Sequence, residues 1–492
     1  MAKSINQHRN AVQHAFEQAL AIADRDPRRS FHEFERALWS ALLKLGRALV
    51  LLFLARAVAR PRATTYKRGA MRFVVTDKVC TTELGTLFGK VPFVRPVARP
   101  MRAPRGKCDL PVDRELGLCS GFSLAVVLAT TRLCAQMAFA PARQTLEQFC
   151  EWAPSPRATL RMVDTVGAEV RGFLEQAPPP PDDGDILVIQ VDGRGAPMID
   201  AAECERRRQP RRLPDGTARH RRRGRRRSRV RPRRKKGDKS KNAKVAFVGV
   251  IYTLQSTDDG CEGPIGKRLY ATFESHEALF KWLHTEAMKR GYGTKRTLFL
   301  ADGADIIWDL QQRYFPNAKP CLDWFHVVEK LWDVARRLYP EGSAAVTAWV
   351  NARTRELRQA RGPAKVHNAL TAAFQSVSKT GPGTKAKRDK ILGVMMHLSK
   401  HHHRMRYHEL RRDDLDIGSG AVEGAVRNLV GMRLDGPGMR WSRDRAEHVL
   451  HLRCILLNGQ WHDFEDYIAR RALRLAAQPV PTRTHDAKRK AA

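Results

Sequence analysis

The sequence is short of acidic residues for its length. It holds 51 Asp and Glu against 89 Lys and Arg, which gives a formal charge of +38 over 492 residues. An excess of positive charge this large is too lopsided for an ordinary cytosolic enzyme and points to a polyanionic partner, most often a nucleic acid. A merely solvated surface is the alternative, and the clustering of the charge in one segment argues against it.

The sequence also lacks the cysteine spacing of a metal-binding finger. Its nine Cys are scattered, no two of them have the spacing Cys-x-x-Cys, and Cys80, Cys108 and Cys119 have no His at the distance that zinc fingers use. This pattern excludes a structural zinc site of the usual kind. Free thiols are typical of a reducing compartment, so we expect a cytoplasmic protein.

Long uncharged apolar runs are missing as well. The first ten residues, MAKSINQHRN, contain no apolar region of a signal peptide. The most apolar stretch covers 47–60, and its uncharged part, Ala48 to Ala55, is far shorter than the roughly 20 residues of a membrane span. We therefore expect no membrane partner, and we expect a buried or self-associating helix at 47–60.

The first half of the chain divides by pattern into small regions. Helical periodicity predicts an N-terminal helical region at 1–70, and two β-like runs predict a small β-rich segment with a hairpin at 71–115. Three helices follow in 116–175, and 176–185, which contains APPPPDDG, has the composition of a linker.

The last helix of 116–175 is the candidate DNA-reading element. It begins with a Ser155 cap and Pro156 at the first helical position. Two short helices joined by about three residues, the second rich in Arg, Thr and Ser, are typical of a helix-turn-helix, although any three-helix unit would look similar. Arg157, Thr159 and Arg161 are the candidate DNA contacts.

The second half of the chain has the pattern of an α/β domain. Apolar runs of strand length predict the order strand, strand, strand, helix, strand, helix, strand, helix over 186–332. A polar helical insertion is predicted at 333–410, completion of the same domain at 411–465, and a basic tail at 466–492. The three adjacent His at 401–403 do not share a helix face, which favours a solvated run over a metal site.

One basic segment interrupts this domain between its first two strands, within an insertion at 205–244. Residues 206–244 hold 21 Lys and Arg against two Asp, a net charge of +19, which is half that of the whole chain. Such a composition cannot bury enough apolar surface to fold alone. We expect a mobile arm that pairs with phosphates, with Arg221, Arg222, Arg225 and Arg226 among its contacts.

Three acids form the candidate catalytic set. Asp192 follows the apolar run ILVIQV, Asp302 follows LFLA, and Glu423 opens a later helix. An acid directly after a buried strand is costly unless it faces a cleft or a metal, and three carboxylates can hold two Mg²⁺ ions. Asp-Gly after a strand is also an ordinary turn, so either Asp alone would be weak support.

These residues resemble a known family. The segments VDGRGAPM, FLADGAD, DWFHVVEKL and GSGAVEGAVRNLVGMRLDGPGMRWS together look like bacterial insertion-sequence DDE transposases of the Kra type, which have an RNase H-like catalytic domain. The resemblance covers 186–332 and 411–460 best, 116–171 less well and 1–70 faintly. The Arg density of 206–244 departs from the expected pattern.

The resemblance implies roles for particular residues. Asp192, Asp302 and Glu423 take the three positions that bind Mg²⁺ or Mn²⁺, with two ions expected, and 333–410 is the insertion before the last acid. The stretch from Asp323 to His326 matches the (C/D)xxH motif that several DDE families place after the second Asp. It implies that His326 acts in catalysis and that Asp323 supports it.

Aromatic residues near these motifs are open to two interpretations. Trp324 and Phe325 are expected in the core rather than as stacking surfaces for bases. Trp441 lies between Arg440 and Arg443 in GMRWSRD, so these three are candidate DNA contacts.

The leading hypothesis is therefore a transposase that binds terminal inverted repeats and target DNA, cleaves at the element ends and transfers strands, as a homo-oligomer of at least two copies in the bacterial nucleoid. A metal-dependent nuclease of the same fold is one alternative. A catalytically idle nucleic-acid-binding protein derived from a transposase is another, and the presence of all three acids argues against it.

Overall fold

The computed structural model describes residues 4–24, 30–69, 71–102, 108–118, 121–199, 202, 205 and 243–477. The chain forms two compact units, one made of Met1–Val170 with Gly459–Ala492 and the other of Arg171–Asn458. The predicted basic arm, with Arg221, Arg222, Arg225 and Arg226, lies outside the described residues except for positions 243 and 244.

Helices and strands alternate in blocks along the chain. The first unit begins with α1 (Ile5–Ala23), α2 (Phe31–Ala59), β1 (Thr65–Arg68), β2 (Met71–Thr86), β3 (Gly89–Pro100), α3 (Pro111–Glu115), α4 (Leu124–Gln136), α5 (Phe139–Cys150) and α6 (Pro156–Gly167). Then follow α7 (Val170–Gln176), β4 (Ile186–Pro197), β5 (Ala243–Thr257), β6 (Gly260–Thr272), α8 (His276–Lys289), β7 (Arg296–Ala301), α9 (Asp305–Tyr314), β8 (Lys319–Leu322) and α10 (Trp324–Leu338). The remaining helices are α11 (Ala344–Leu357), α12 (Gly362–Ser376), α13 (Thr384–His401), α14 (Tyr407–Arg412), α15 (Gly420–Val426), α16 (Met432–Leu434), α17 (Arg443–Leu457) and α18 (Trp461–Ala477).

The first unit packs a long helix on a small antiparallel sheet. The sheet has the order β1-β2-β3, and β2 and β3 form the predicted hairpin. Leu54 of α2 is buried against Leu84, Val91 and Phe93 of this sheet. Burial of these apolar side chains is the main favourable term that holds the unit together.

Helix α2 contains the apolar stretch at 47–60. Its 29 residues include an 18-residue window of mean hydropathy 1.8, so by length and composition it could cross a membrane. Only 22% of that window is buried, although Leu54 packs against the sheet. The expected burial of this stretch is therefore wrong for Leu49 and Phe53, which are about half exposed.

Two other boundaries can be compared with the sequence. Helix α6 begins as predicted, because the Ser155 hydroxyl accepts the Ala158 N–H and Pro156 takes the first helical position. The predicted basic tail at 466–492 is wrong at its start, because α18 continues to Ala477. The apolar positions of α18 include Phe464 and Ile468, which are buried, so packing extends this helix.

The second unit is built on a mixed five-stranded sheet with the order β6-β5-β4-β7-β8. Strand β4 is antiparallel to β5 and parallel to β7, and β7 is parallel to β8. The mixed α/β architecture with many helices is as predicted. The central strand β4 is buried from Ile186 to Val191, which explains why it reads as a continuous apolar run.

Candidate active site

The register of the sheet places two of the predicted acids at one edge. Strands β4 and β7 are parallel, and their register pairs Val191 with Ala301. Asp192 directly follows Val191, and Asp302 directly follows Ala301. Both aspartates therefore lie at the point where the parallel pairing of β4 and β7 stops. Strand β4 itself does not end at Asp192, as the sequence suggested, because its pairing with β5 continues to Pro197.

A backbone N–H close by in the chain donates a hydrogen bond to each aspartate. The Gly193 N–H donates to Asp192 Oδ1 over 2.6 Å, and the Ala304 N–H donates to Asp302 Oδ1 over 3.0 Å. Each aspartate keeps a second carboxylate oxygen for other partners. Both residues are only partly buried, so the edge of the sheet is accessible at this point.

Contacts distant in sequence bring Glu423 to the same edge. The Val422 N–H donates to Gln190 Oε1 over 3.0 Å, and Gln190 lies two positions before Asp192 on β4. Side chains two positions apart on a strand share a face of the sheet. The start of α15, with Glu423 in its first turn, is therefore anchored to the strand that carries Asp192.

Ser419 forms a second link to Glu423 through its side chain. It occupies the position before α15, but its hydroxyl does not cap the helix backbone. The hydroxyl donates to Glu423 Oε1 over 3.0 Å instead, and the Ser419 N–H donates to Asp323 Oδ1 over 2.7 Å. Ser419 thereby links the third acid to the motif that contains His326.

The acids influence one another electrostatically. Burial raises the pKa of Asp192, and the negative charges of Asp302 and Glu423 raise it further. The Gly193 N–H and His326 act in the opposite direction on the same pKa. The three carboxylates are thus close enough to repel, and a bound cation would relieve this repulsion.

The donor set has the chemistry for magnesium without forming a closed cluster. Among the residues that the structure describes, no group of three or more His, Cys, Asp and Glu side chains is placed so that it could hold a metal ion. Carboxylate oxygens are nevertheless the ligands that Mg²⁺ prefers, and the exposed Glu423 has three rotatable side-chain bonds. Shared metal binding by Asp192, Asp302 and Glu423 stays a prediction.

The buried carboxylate of Asp323 and the partly exposed imidazole of His326 form a pair beside the acids. Asp323 caps α10, and its Oδ2 accepts both the backbone N–H of His326, at 2.9 Å, and Nδ1 of the same residue, at 2.6 Å. The hydrogen bond from Asp323 raises the pKa of His326 to about 8, and the charges of Asp302 and Asp192 add to this effect. With Nδ1 engaged, Nε2 is the ring nitrogen left for a substrate.

The pKa of Asp323 is also shifted by its surroundings. Burial acts to raise its pKa, but hydrogen bonds from His326 and Ser419 outweigh that effect and hold the pKa below its usual value. The carboxyl is therefore ionised at neutral pH even though the residue is fully buried. An ionised partner fixes the orientation of the imidazole ring.

Two residues near the acids were not identified from the sequence. Gln190 is fully buried, and besides accepting from Val422 it donates to the Tyr252 hydroxyl over 3.0 Å. His276 opens α8, with its ring centroid 3.8 Å from that of Phe247, and Asp302 is among the charges that act on its pKa. The signal for Gln190 was an amide inside an otherwise apolar strand, which requires buried partners.

The predicted DNA contacts on α6 divide by exposure. Arg157 and Arg161 are exposed on the outer face of this helix. Thr159 has an exposure of 0%, so it belongs to the core and its assignment as a DNA contact is wrong for this structure. Positions 157 and 161 are four residues apart and share one face of the helix, whereas position 159 lies on the opposite face.

Two of the predictions for aromatic residues are wrong: Trp441 is buried and Phe325 is exposed. Trp441 is only 5% exposed, its Nε1 donates to the Leu434 carbonyl over 2.9 Å, and Arg433 lies 4.9 Å from the ring centroid, so the ring is not available to DNA. Arg440 and Arg443 on either side are exposed. Trp324 is buried as expected, whereas Phe325 is 52% exposed and is not a core residue.

Replacing Gln190 tests the anchoring of α15. We expect Gln190→Leu to lower the free energy of unfolding by about 1–3 kcal/mol, because it leaves the buried N–H of Val422 without its acceptor. Denaturant unfolding followed by far-UV circular dichroism measures this change. Gln255→Leu on the exposed end of β5 is the matched control, and equal effects of the two substitutions would refute the anchoring role.

Comparison with known proteins gives little beyond this geometry. No family model matches the sequence, and no curated protein matches it. Among solved structures, the chain is similar to one titled Drosophila P element transposase strand transfer complex, at a TM-score of 0.31 and 9% identity, over 70% of this chain and 94% of that one. At this TM-score the similarity supports no conclusion about the function of this chain.

Proposed function

We propose that this protein is a DDE-type transposase of a bacterial insertion sequence, of the Kra type, with an RNase H-like catalytic domain. It binds terminal inverted repeats, cleaves DNA at the element ends and joins the 3′-hydroxyls to target phosphates. The observation that carries the proposal is the parallel register of β4 and β7, which puts Asp192 and Asp302 at equivalent positions of one sheet edge. Anchoring of the Glu423 helix to Gln190 adds the third acid.

The acids and the histidine have separate roles in this proposal. Asp192, Asp302 and Glu423 would hold two Mg²⁺ or Mn²⁺ ions, which when bound stabilise the charge that develops on the scissile phosphate. His326 contacts the phosphate or moves a proton through Nε2, while Asp323 keeps Nδ1 engaged and the ring oriented. Ser419 orients Glu423 through the hydrogen bond from its hydroxyl to Glu423 Oε1.

DNA binding is assigned to exposed basic residues outside the acid cluster. Arg157 and Arg161 lie in the first half of α6, the part of a recognition helix that usually meets base edges. Arg440 and Arg443 contribute further contacts. Synapsis of two element ends requires two active sites, so a homo-oligomer of at least two copies, located with the nucleoid in the cytoplasm, belongs to the same proposal.

A catalytically idle nucleic-acid-binding protein is the second candidate. One observation favours it, namely that the carboxylates in the described part of the chain do not form a ready ligand cluster. The two candidates differ in whether the protein breaks phosphodiester bonds when Mg²⁺ is supplied.

Cleavage of defined DNA ends tests the proposal. Full-length protein is incubated with duplexes that carry the two ends of the element encoding it, with Mg²⁺, Mn²⁺ or EDTA, and with a scrambled duplex as control. The transposase proposal predicts metal-dependent nicking at the ends and joined products with a target plasmid. Cleavage without joining indicates a nuclease, and binding without cleavage in either metal indicates the idle protein.

Deletion of the arm tests where sequence-independent affinity arises. We expect removal of 206–242 to weaken binding to all DNA and to flatten the dependence of the binding constant on salt, because its Lys and Arg residues release counterions when they pair with phosphates. The preference for element ends should remain. Fluorescence anisotropy at several salt concentrations measures both quantities, and an unchanged salt slope would show that the arm does not contact DNA.

A further inference from the structure

The end of helix α13, in the helical insertion, lies directly against the turn that follows Asp302. The ring of His397 fills the space beside Gly303, where a Cβ atom would come within 2.2 Å of Cε1 and 3.1 Å of Nε2. One turn further on, Lys400 forms an ion pair of 2.5 Å with Asp305, the first residue of α9. The insertion therefore contacts the catalytic edge and is more than a peripheral addition.

The same face of α13 continues along α9. His401 is almost fully buried, and its ring centroid lies 6.4 Å from that of Trp308. Arg404 lies 4.3 Å over the Trp308 ring and hydrogen-bonds to His401 Nδ1 over 2.7 Å. His397, Lys400 and His401 share one face of α13, and Arg404 in the 3-10 turn at His402–Arg404 extends the same strip of contacts. The prediction of a solvated His run was thus wrong for His401.

Gly303 is not required by its backbone conformation. It is absent from the described glycines with positive φ, so its backbone is available to any L-residue. The Asp-Gly pair of the sequence suggested an ordinary turn glycine. In the structure, the ring of His397 is what excludes a side chain at 303.

His397 also has an unusual polar environment. Its Nε2 atom is buried and has no hydrogen-bond partner among the residues that the structure describes. His326 is among the charges that act on its pKa, which places the ring near the candidate active site. Burial of this ring against the turn therefore rests on its close packing beside Gly303 and not on a hydrogen bond of Nε2 within the described residues.

We propose that His397 is a positioning residue, through which the helical insertion fixes the turn that presents Asp302. A Cβ atom at 303 would meet the ring at 2.2 Å, so the pair Gly303–His397 sets how closely α13 approaches the acid. This inference rests on the proposed function for its effect on catalysis. The packing itself is independent of that function.

Paired substitutions test the contact. Gly303→Ala should lower the cleavage rate per folded molecule by about 10²-fold, the loss expected when a reacting group is displaced by about 1 Å, and should weaken Mn²⁺ binding measured by electron paramagnetic resonance. Adding His397→Ala should recover at least about tenfold of that loss, because it opens the space that the new methyl group needs. His403→Ala, at an exposed histidine, is the control and should rescue nothing.

The outcomes separate this proposal from the proposed function. Additive effects of the two substitutions on both thermal melting and Mn²⁺ affinity would overturn the positioning role. If Gly303→Ala does not fold, His397→Ala alone decides, because it only removes atoms; an unchanged Mn²⁺ affinity and Mg²⁺ dependence would then overturn the proposal. A wild-type protein that cuts no DNA contradicts the proposed function, while the coupling in melting and Mn²⁺ affinity still decides the role of His397.

Discussion

Asp192→Asn is expected to abolish metal-dependent cleavage of element ends, with a loss of about 10³-fold or more, since metal-assisted charge stabilisation is worth several kcal/mol and each 1.36 kcal/mol is a factor of ten. The substitution keeps the shape of the side chain and the acceptor for the Gly193 N–H, and it removes the charge. DNA binding should be unchanged, because the residue is not part of the basic surface. Single-turnover cleavage and anisotropy binding on one preparation measure both effects.

Asp258→Asn provides the matched control for this substitution. Asp258 lies in the exposed turn between β5 and β6, away from the edge that carries the three acids. It undergoes the same chemical change and should cleave at the wild-type rate. Cleavage by Asp192→Asn at the rate of this control would remove Asp192 from the catalytic set.

His326→Ala is expected to lower the cleavage rate by about 10²- to 10⁴-fold, the range for one positioned acid–base group. Its effect on stability should be small. The imidazole is partly exposed, and buried Asp323 keeps two backbone N–H donors, from residue 326 itself and from Ser419. Melting and single-turnover cleavage on the same sample distinguish a catalytic histidine from a structural one.

A structural histidine would give a different result. The melting temperature would fall, and the remaining activity would follow the folded fraction. His367→Ala, at a partly buried histidine of the insertion, shows how large such a purely structural effect is. Wild-type turnover per folded His326→Ala molecule would leave the three carboxylates as the whole of the candidate site.

Strands and acids could be predicted from the sequence because their signals are local. A run such as ILVIQV, which is apolar at five of its six positions, is typical of a strand buried on both faces, and an acid after it is costly unless it faces a cleft. The same holds for Asp323 and His326, which were paired by their spacing in the (C/D)xxH motif. Such local patterns can be recognised in the sequence without knowing which residues pack against the strand.

The supports of the site could not be predicted, because they join residues far apart in the chain. Gln190 meets Val422 across 232 positions, and Asp323 meets Ser419 across 96. The contact between Gly303 and His397 depends on how the insertion folds back. Trp441 likewise pairs through its backbone with Pro197 and Ile199, far away in the chain, whereas its flanking Arg residues alone suggested exposure.

The central claim is that Asp192, Asp302 and Glu423 form one metal site. The direct test is a crystal structure of the full chain with Mn²⁺ and a duplex that carries an element end, with the ions located by anomalous scattering. The claim predicts two Mn²⁺ ions about 3.5–4 Å apart, bound by oxygens of these three side chains. Mn²⁺ bound elsewhere, or any of the three carboxylates directed away from the ions, would contradict it.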